Sequence, residues 1–291
     1  MSRRRWLILV PTLFCVLALL LFAAASALFC EGTLRVPTGI SYARNSPGVG
    51  WQTVTIRASD GVPLEGWFVR PQNAGGACVI VLHGIADTRS GVAGFGPLFV
   101  SQRYSVLVPD SRAHGRSGGE FVTYGLLEKH DVLGWVRWLR GQGCDHVYGL
   151  GESLGASILI EASALEPAFR AIVAECAYSD LKSIADERVG QLVPPIIAPL
   201  IVRGGMTYAR LRYELDFEQV SPVRAIARST TPTLLIHGLA DHRTSCWHSR
   251  RLAQANPRAT LWLVPKADHV AACIADPEGF RSRVLDWFAR H

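Results

Sequence analysis

Three side chains of this sequence, each just beyond a short apolar run, could share one proton-transfer task. Ser153 lies in GLGESLGAS, residues 149–157, Asp241 ends HGLAD, and His269 ends PKADH. A serine hydroxyl is a weak nucleophile that needs a base, and the base needs an acid to orient it. Ser153 is the candidate nucleophile, His269 the candidate base and Asp241 the candidate acid. The G-x-S-x-G spacing has a physical reason. A serine on a sharp strand-to-helix turn exposes its hydroxyl, and the flanking positions must be small because backbone passes close to them. Alone, the motif fits a glycine-flanked turn equally well; its place after an apolar run favours the nucleophile.

Acyl chemistry at Ser153 would also need two fixed donors for a tetrahedral oxyanion. One expectation is the N–H of Leu154, which opens a helix whose positive end favours developing negative charge. The other is the N–H of Ile85, after His83 and Gly84 in LHGIADTRSG. Gly84 either lets backbone approach a substrate or simply closes a loop. The remaining titratable groups have blander readings. Asp268 adjoins His269 and reads as a surface carboxylate, while Asp180 is an alternative acid. His83 and His237 each precede glycine and read as loop-shaping residues, and His242 is too near Asp241 to be its partner.

These residues need a frame. WQTVTIRASDGVPLEGWFVRP alternates around Asp60 and Gly61, the pattern of a hairpin. The runs beginning at 77, 104, 146, 171, 231 and 259 are instead short and almost continuously apolar, as strands buried on both faces of a parallel sheet must be. Helical patterns at 124–141, 154–165, 244–255 and 278–290 fall between them. Strand alternating with helix predicts an α/β fold, a doubly wound, mostly parallel sheet. Right-handed crossovers bring the strand ends to one edge, where ligands of such sheets bind. Residues 178–222 interrupt the alternation and predict an inserted cap. Its apolar stretch LVPPIIAPLIV carries three prolines in eleven residues, which argues against a second membrane helix. Residues 192–202 are expected to line an acyl site, touch a bilayer or cover the sheet.

At the N-terminus, Arg3, Arg4 and Arg5 precede an uncharged stretch from Trp6 to Cys30, longer than the roughly 20 residues that cross a bilayer. Residues 1–30 read as a retained signal anchor or, given ASA at 25–27, as a cleaved signal peptide. A lipidated Cys30 fits less well, because bulky Phe29 precedes it. Either main reading places residues 50–291 on the periplasmic or extracytoplasmic side, membrane-anchored or secreted after cleavage. The net charge of +6 comes with only three lysines and scattered arginines, so no nucleic-acid partner is expected. None of the seven cysteines has metal-ligand spacing, and neither metal nor cofactor is expected. Cys78, inside an apolar run, reads as a small buried thiol. Cys246 and Cys273 follow Asp241 and His269 closely, and are expected either as a disulfide or as two separate thiols.

LHGIADTRSG, DSRAHGRSGG, GESLG, HGLAD and ADH, in this order, resemble the α/β hydrolase superfamily, more narrowly its membrane-anchored bacterial BEM46-like or serine aminopeptidase-like members. The resemblance covers roughly residues 50–290. It implies an α/β hydrolase fold, Ser153 as nucleophile, His269 as base, Asp241 as acid, and Ile85 and Leu154 as oxyanion donors. Asp110, Arg112, His114, Gly115 and Ser117 match the family's D-x-R-x-H-G-x-S loop, which organises structure beside the site. Ala86 and Asp87 depart from the small or amide residues common after the HG pair. The expected function is a serine hydrolase acting on a small acyl ester or thioester. A peptidase or amidase using the same triad, or a noncatalytic binding protein on the same fold, are the alternatives.

Overall fold

The computed structural model describes residues 3–35, 48 and 50–291; the first two residues of the expected N-terminal segment lie outside them. By contacts the chain divides into two units, one of residues 35–181 and 219–291, the other of residues through Leu34 together with 182–218.

The larger unit holds the whole sheet. Strand β1 (Trp51–Arg57) and β2 (Pro63–Val69) form the expected antiparallel hairpin, turning at Gly61 with φ 85°. The apolar runs become β3 (Ala77–Leu82), β4 (Ser105–Pro109), β5 (His146–Glu152), β6 (Ala171–Glu175), β7 (Thr233–Gly238) and β8 (Ala259–Val264). Their order is β1-β2-β4-β3-β5-β6-β7-β8, and β3 to β8 are all parallel.

The helices, in chain order with the smaller unit's included, are α1 (Arg3–Leu34), α2 (Arg89–Val92), α3 (Gly96–Val100), α4 (Glu128–Gly141) and α5 (Leu154–Ser163). They continue as α6 (Leu181–Gly190), α7 (Ala198–Tyr213), α8 (Pro222–Arg228), α9 (Trp247–Ala255), α10 (Ala272–Ala275) and α11 (Pro277–Arg290). Alternate strand residues feed two layers. Val79, Val81, Leu234 and Ile236 pack with Val92, Phe99, Phe280 and Phe288 of α2, α3 and α11. The opposite face carries α4, α5, α8 and α9, packed in a row. Every residue of α5 is buried, so the strand-turn-helix unit holding Ser153 is fixed from all sides.

Helix α4 starts at Glu128 rather than 124 because Glu128 is buried and accepts hydrogen bonds from the N–H groups of Thr123 and Gly125 and from the Thr123 hydroxyl. Those bonds close residues 123–127 into a turn ahead of the helix. Cys78 is not a free thiol: it is bridged to Cys144, with Cα atoms 5.8 Å apart. The bridge joins the start of β3 to the approach of β5, its immediate neighbour in the sheet. Cys246 and Cys273 are both free. Cys246 opens α9 on the face reached by His237, whereas Cys273 in α10 packs into the opposite layer.

In the smaller unit, Pro194 and Pro195 lie in the connection between α6 and α7, and Pro199 sits in the first turn of α7, where a missing N–H costs nothing. The prolines thus break the apolar stretch as expected. Helix α7 packs on α1 at a pair of glycines. A Cβ at Gly204 would lie 2.8 Å from Ser26 Cβ and 3.0 Å from Phe22, and one at Gly205 would lie 2.8 Å from Phe29. Val189, Ala198 and Val202 close a small core with Phe29. Ser26, Cys30 and Leu34, four residues apart, are buried, whereas Leu13, Phe14, Leu17, Leu20 and Leu21 are exposed.

Candidate active site

Strand β5 ends at Glu152 and the chain turns into α5 through Ser153, held at φ 52°, ψ −112°. That conformation is uncommon for a residue with a side chain. Sequence permits it by removing the neighbours' side chains: a Cβ at Gly151 would lie 2.6 Å from the Gly155 carbonyl carbon, and one at Gly155 would lie 2.5 Å from the Leu82 oxygen. The Ser153 N–H donates to the Glu175 carbonyl at 2.8 Å, anchoring the turn to β6.

Three strand ends converge here. Ser153 Oγ lies 2.9 Å from His269 Nε2, and His269 Nδ1 lies 2.7 Å from Asp241 Oδ2. The Asp241 carboxylate is fully buried, and its other oxygen accepts the N–H groups of Arg243 and Thr244, each at 2.8 Å. Burial alone would raise this carboxyl, but hydrogen bonds from His237, His269 and the Thr244 N–H outweigh it and hold Asp241 well below the usual carboxylate range. Asp241 is therefore a fixed anion. Asp180 is ion-paired with Arg251, and Asp268 is exposed, so the structure turns neither of these other acids toward the imidazole.

His237, read in the sequence as a loop-shaping residue, also has a place in the site. Fully buried at the end of β7, it puts Nε2 3.3 Å from Asp241 Oδ2 and 2.9 Å from the Thr244 carbonyl, while Nδ1 faces Ser249 Oγ at 2.6 Å. A carboxylate and a carbonyl both accept, so Nε2 carries the proton and Ser249 donates to Nδ1. The end of β6 contributes two more supports. Glu175 accepts the Ala272 N–H at 2.9 Å, and Cys176 Sγ accepts the Val270 N–H at 3.4 Å, so the loop bearing His269 is tied on its C-terminal side. Ser153, Cys176 and Val270 all have positive φ, a local clustering of strained non-glycine residues.

The loop after β3 lies against the nucleophile: a Cβ at Gly84 would sit 3.4 Å from Ser153 Cβ. The Ile85 N–H finds no acceptor among the described residues, and Leu154 opens α5, where the first N–H groups have no partner within the helix. Two buried histidines brace this loop. His83 donates from Nδ1 to the Gly84 carbonyl at 2.7 Å and accepts the Ser111 N–H at Nε2; burial, reinforced by His114, lowers its pKa to about 3. His114 accepts the Ala86 N–H at 3.3 Å. Beneath them Asp110 accepts the N–H groups of Arg89 and Arg116, Arg112 forms a two-pronged pair with Asp131, and Ser117 donates to the Asp110 carbonyl. A Cβ at Gly115 would strike the Asp110 carboxylate. Asp87 accepts the Thr88 N–H and is half-buried rather than free in solvent.

Cys176, Asp241 and His269 bring potential metal-ligand atoms within 4.8 Å of one another. Those atoms are already used in the contacts above, and burial pushes the Cys176 thiol well up, keeping it a protonated, poor ligand. The trio belongs to the serine site.

A profile of the alpha/beta hydrolase family matches residues 79–283. The uncharacterised protein YfhR of Salmonella typhi is 28% identical over 239 residues, 76% of this chain and 75% of that one. An esterase of Pyrococcus furiosus superposes with a TM-score of 0.70 at 22% identity, covering 89% of this chain and 97% of that one. Est1E of Butyrivibrio proteoclasticus, solved with ferulic acid bound, superposes with a TM-score of 0.62 at 16% identity, covering 81% of this chain and 99% of that one. Structural likeness at such identity establishes the fold, and the profile spans the strands and loops that carry Ser153, Asp241 and His269. The chain belongs to the alpha/beta hydrolase family.

Proposed function

We propose that the protein is a membrane-anchored serine hydrolase that cleaves carboxylic esters or acyl thioesters. The observation that carries this reading is the unbroken relay from Ser153 Oγ through His269 to Asp241, at 2.9 and 2.7 Å. His269 Nε2 takes the Ser153 proton as the oxygen attacks the carbonyl carbon. Asp241 stabilises the imidazolium and fixes its tautomer by holding Nδ1–H. The N–H groups of Ile85 and Leu154 receive the oxyanion, each such donor being worth about 10²–10³ in rate. His269 then returns the proton to the leaving alcohol or thiol, leaving an acyl-Ser153 ester. A water deprotonated by His269 releases the acid and restores the serine.

Helix α1 supports the anchor. An 18-residue window within Val10–Leu34 has a mean hydropathy of 2.7, and the burial of Ser26, Cys30 and Leu34 supports a retained helix over a cleaved leader. The arginines at 3–5 favour a cytoplasmic N-terminus and an extracytoplasmic sheet unit, and a Cys78–Cys144 bridge suits that oxidising side.

A fluorophosphonate probe tests the nucleophile. It should label the purified full chain and fail on Ser153→Ala, while Ser153→Ala and His269→Ala each lower ester turnover by ~10⁴-fold with unfolding temperature retained. Labelling that survives Ser153→Ala would remove the proposal. A substrate panel decides the class of bond: preference for aminoacyl amides over acyl esters would make the protein a peptidase, and absence of both labelling and turnover a binding protein.

A further inference from the structure

Within the smaller unit, the connection from α6 to α7 exposes an apolar tip. Leu192 is 84% exposed, Ile196 82%, Leu200 55% and Ile197 42%, with Pro194 and Pro195 exposed between them. Scattered apolar residues on a surface need no explanation, but a contiguous cluster of this kind marks an interaction site.

The contacts between α1 and α7 say what the tip meets. Gly204 touches Phe22 and Ser26, Gly205 touches Phe29, and the Tyr208 and Tyr213 hydroxyls both donate to Glu31. Rising numbers on α7 meet rising numbers on α1, so the two helices run side by side in one direction. At 1.5 Å per residue, Leu200 lies about 6 Å before Gly204 and so beside α1 near Phe22, and the 192–197 connection begins at or below that depth. Phe22 is about 12 Å inside Cys30, the last residue of the uncharged stretch. Any bilayer that receives α1 therefore also receives the tip. The polar groups fall in the complementary order. Exposed Arg203 comes one turn above Leu200, at the height where a guanidinium meets phospholipid head groups, and Tyr208 and Tyr213 gather around Glu31, where an aromatic belt meets water.

We infer that residues 192–200 form a second membrane contact, a proline-broken hairpin tip that inserts into the outer half of the same phospholipid bilayer as α1 without crossing it. This rests on reading α1 as the anchor. The tip has the irregular backbone that hydrocarbon excludes when unsupported, but it is short, backed by the Val189, Ala198 and Val202 core, and reaches only the upper part of the bilayer.

The test places a photoactivatable p-benzoylphenylalanine singly at Leu20, Ile196, Leu200 or Arg212 in the full chain, reconstituted in phosphatidylethanolamine–phosphatidylglycerol vesicles. Irradiation is followed by intact mass analysis. Positions 196 and 200 should form phospholipid adducts at least about tenfold more often than 212, at yields comparable to position 20. Adducts at 20 with none at 196 and 200 would overturn the inference and leave the anchor standing. No adduct at 20 would overturn the anchor reading and, with it, a second contact in the same bilayer. Cross-linked dimers at 196 and 200 in place of lipid would make the tip a self-association surface, and equal lipid adducts at 212 would also overturn a depth-specific insertion.

Discussion

Glu152 precedes the nucleophile and lies beside Glu175 in the β5–β6 register. Two acids so placed cannot both ionise cheaply. Burial, with Glu175 and Asp87 adding repulsion, raises Glu152 to about 8, and burial raises Glu175 to about 7. In the unfolded chain both release their protons near pH 4. Between roughly pH 4.5 and 8 the folded protein thus holds protons that the unfolded chain lacks, and stability falls as pH rises through that window. Glu152→Gln should flatten the decline and raise the unfolding temperature most at pH 8 and above; thermal scans from pH 5 to 9 read it directly, and an unchanged slope would leave Glu152 without the role. Asp241 acts in the opposite sense: its depressed carboxyl contributes stability above the unfolded value near 4, which is lost as pH falls further. His237 shares that carboxylate, so His237→Asn should lower kcat/KM by about tenfold, the loss of one charge-assisted hydrogen bond, with Ser153 still labelled by the probe. Of the site, Ser153, Asp241 and His269 are legible in the sequence because each follows an apolar run, and a parallel sheet gathers strand ends. Glu175 and Cys176 are not legible in that way. They read as the tail of a buried strand, and only the β6 register beside Ser153 turns them toward the histidine loop.

At the level of elements, the six apolar runs and the hairpin are fully legible, since continuous burial and alternation leave different patterns. Helices α2 and α3 are not, being too short to show a period and dependent on packing against Phe280 and Phe288. The cysteine pairing fails to show for a similar reason. Cys78 and Cys144 are separated by 66 residues and meet only because β3 and β5, not consecutive in the chain, are neighbours in the sheet. Closeness of the Asp241 and His269 loops suggests Cys246 and Cys273 instead, but α9 and α10 leave those loops on opposite faces. The bridge that does form closes a long loop, which chain-entropy reasoning values at about 4 kcal/mol. Replacing both Cys78 and Cys144 by alanine should therefore cost about 2–4 kcal/mol in denaturant unfolding, with kcat unchanged. A large fall in kcat would mean that the bridge shapes the site.

Across the whole chain, the amino-terminal segment is legible as one long apolar helix, whereas its partnership with α7 is not, because glycines 204 and 205 signal close approach without naming what approaches. Gly204→Leu should force α7 away from Ser26 and destabilise the protein by about 1–3 kcal/mol, as overpacking does. Faster protease cleavage within 191–197 in detergent would report the same separation, and unchanged cleavage would argue against the packed pair. The larger unit keeps its cross-link and its chemistry at different ends: Cys78–Cys144 joins the starts of strands, and Ser153, Asp241 and His269 stand at their ends. A preparation made in a reducing cytoplasm would then carry an intact reaction centre on an unbraced scaffold. Its initial rates would match those of protein with the bridge formed, while its working lifetime at elevated temperature, governed by the rate of unfolding, would be far shorter. Storage half-life, more than turnover, is the quality by which properly matured material is recognised.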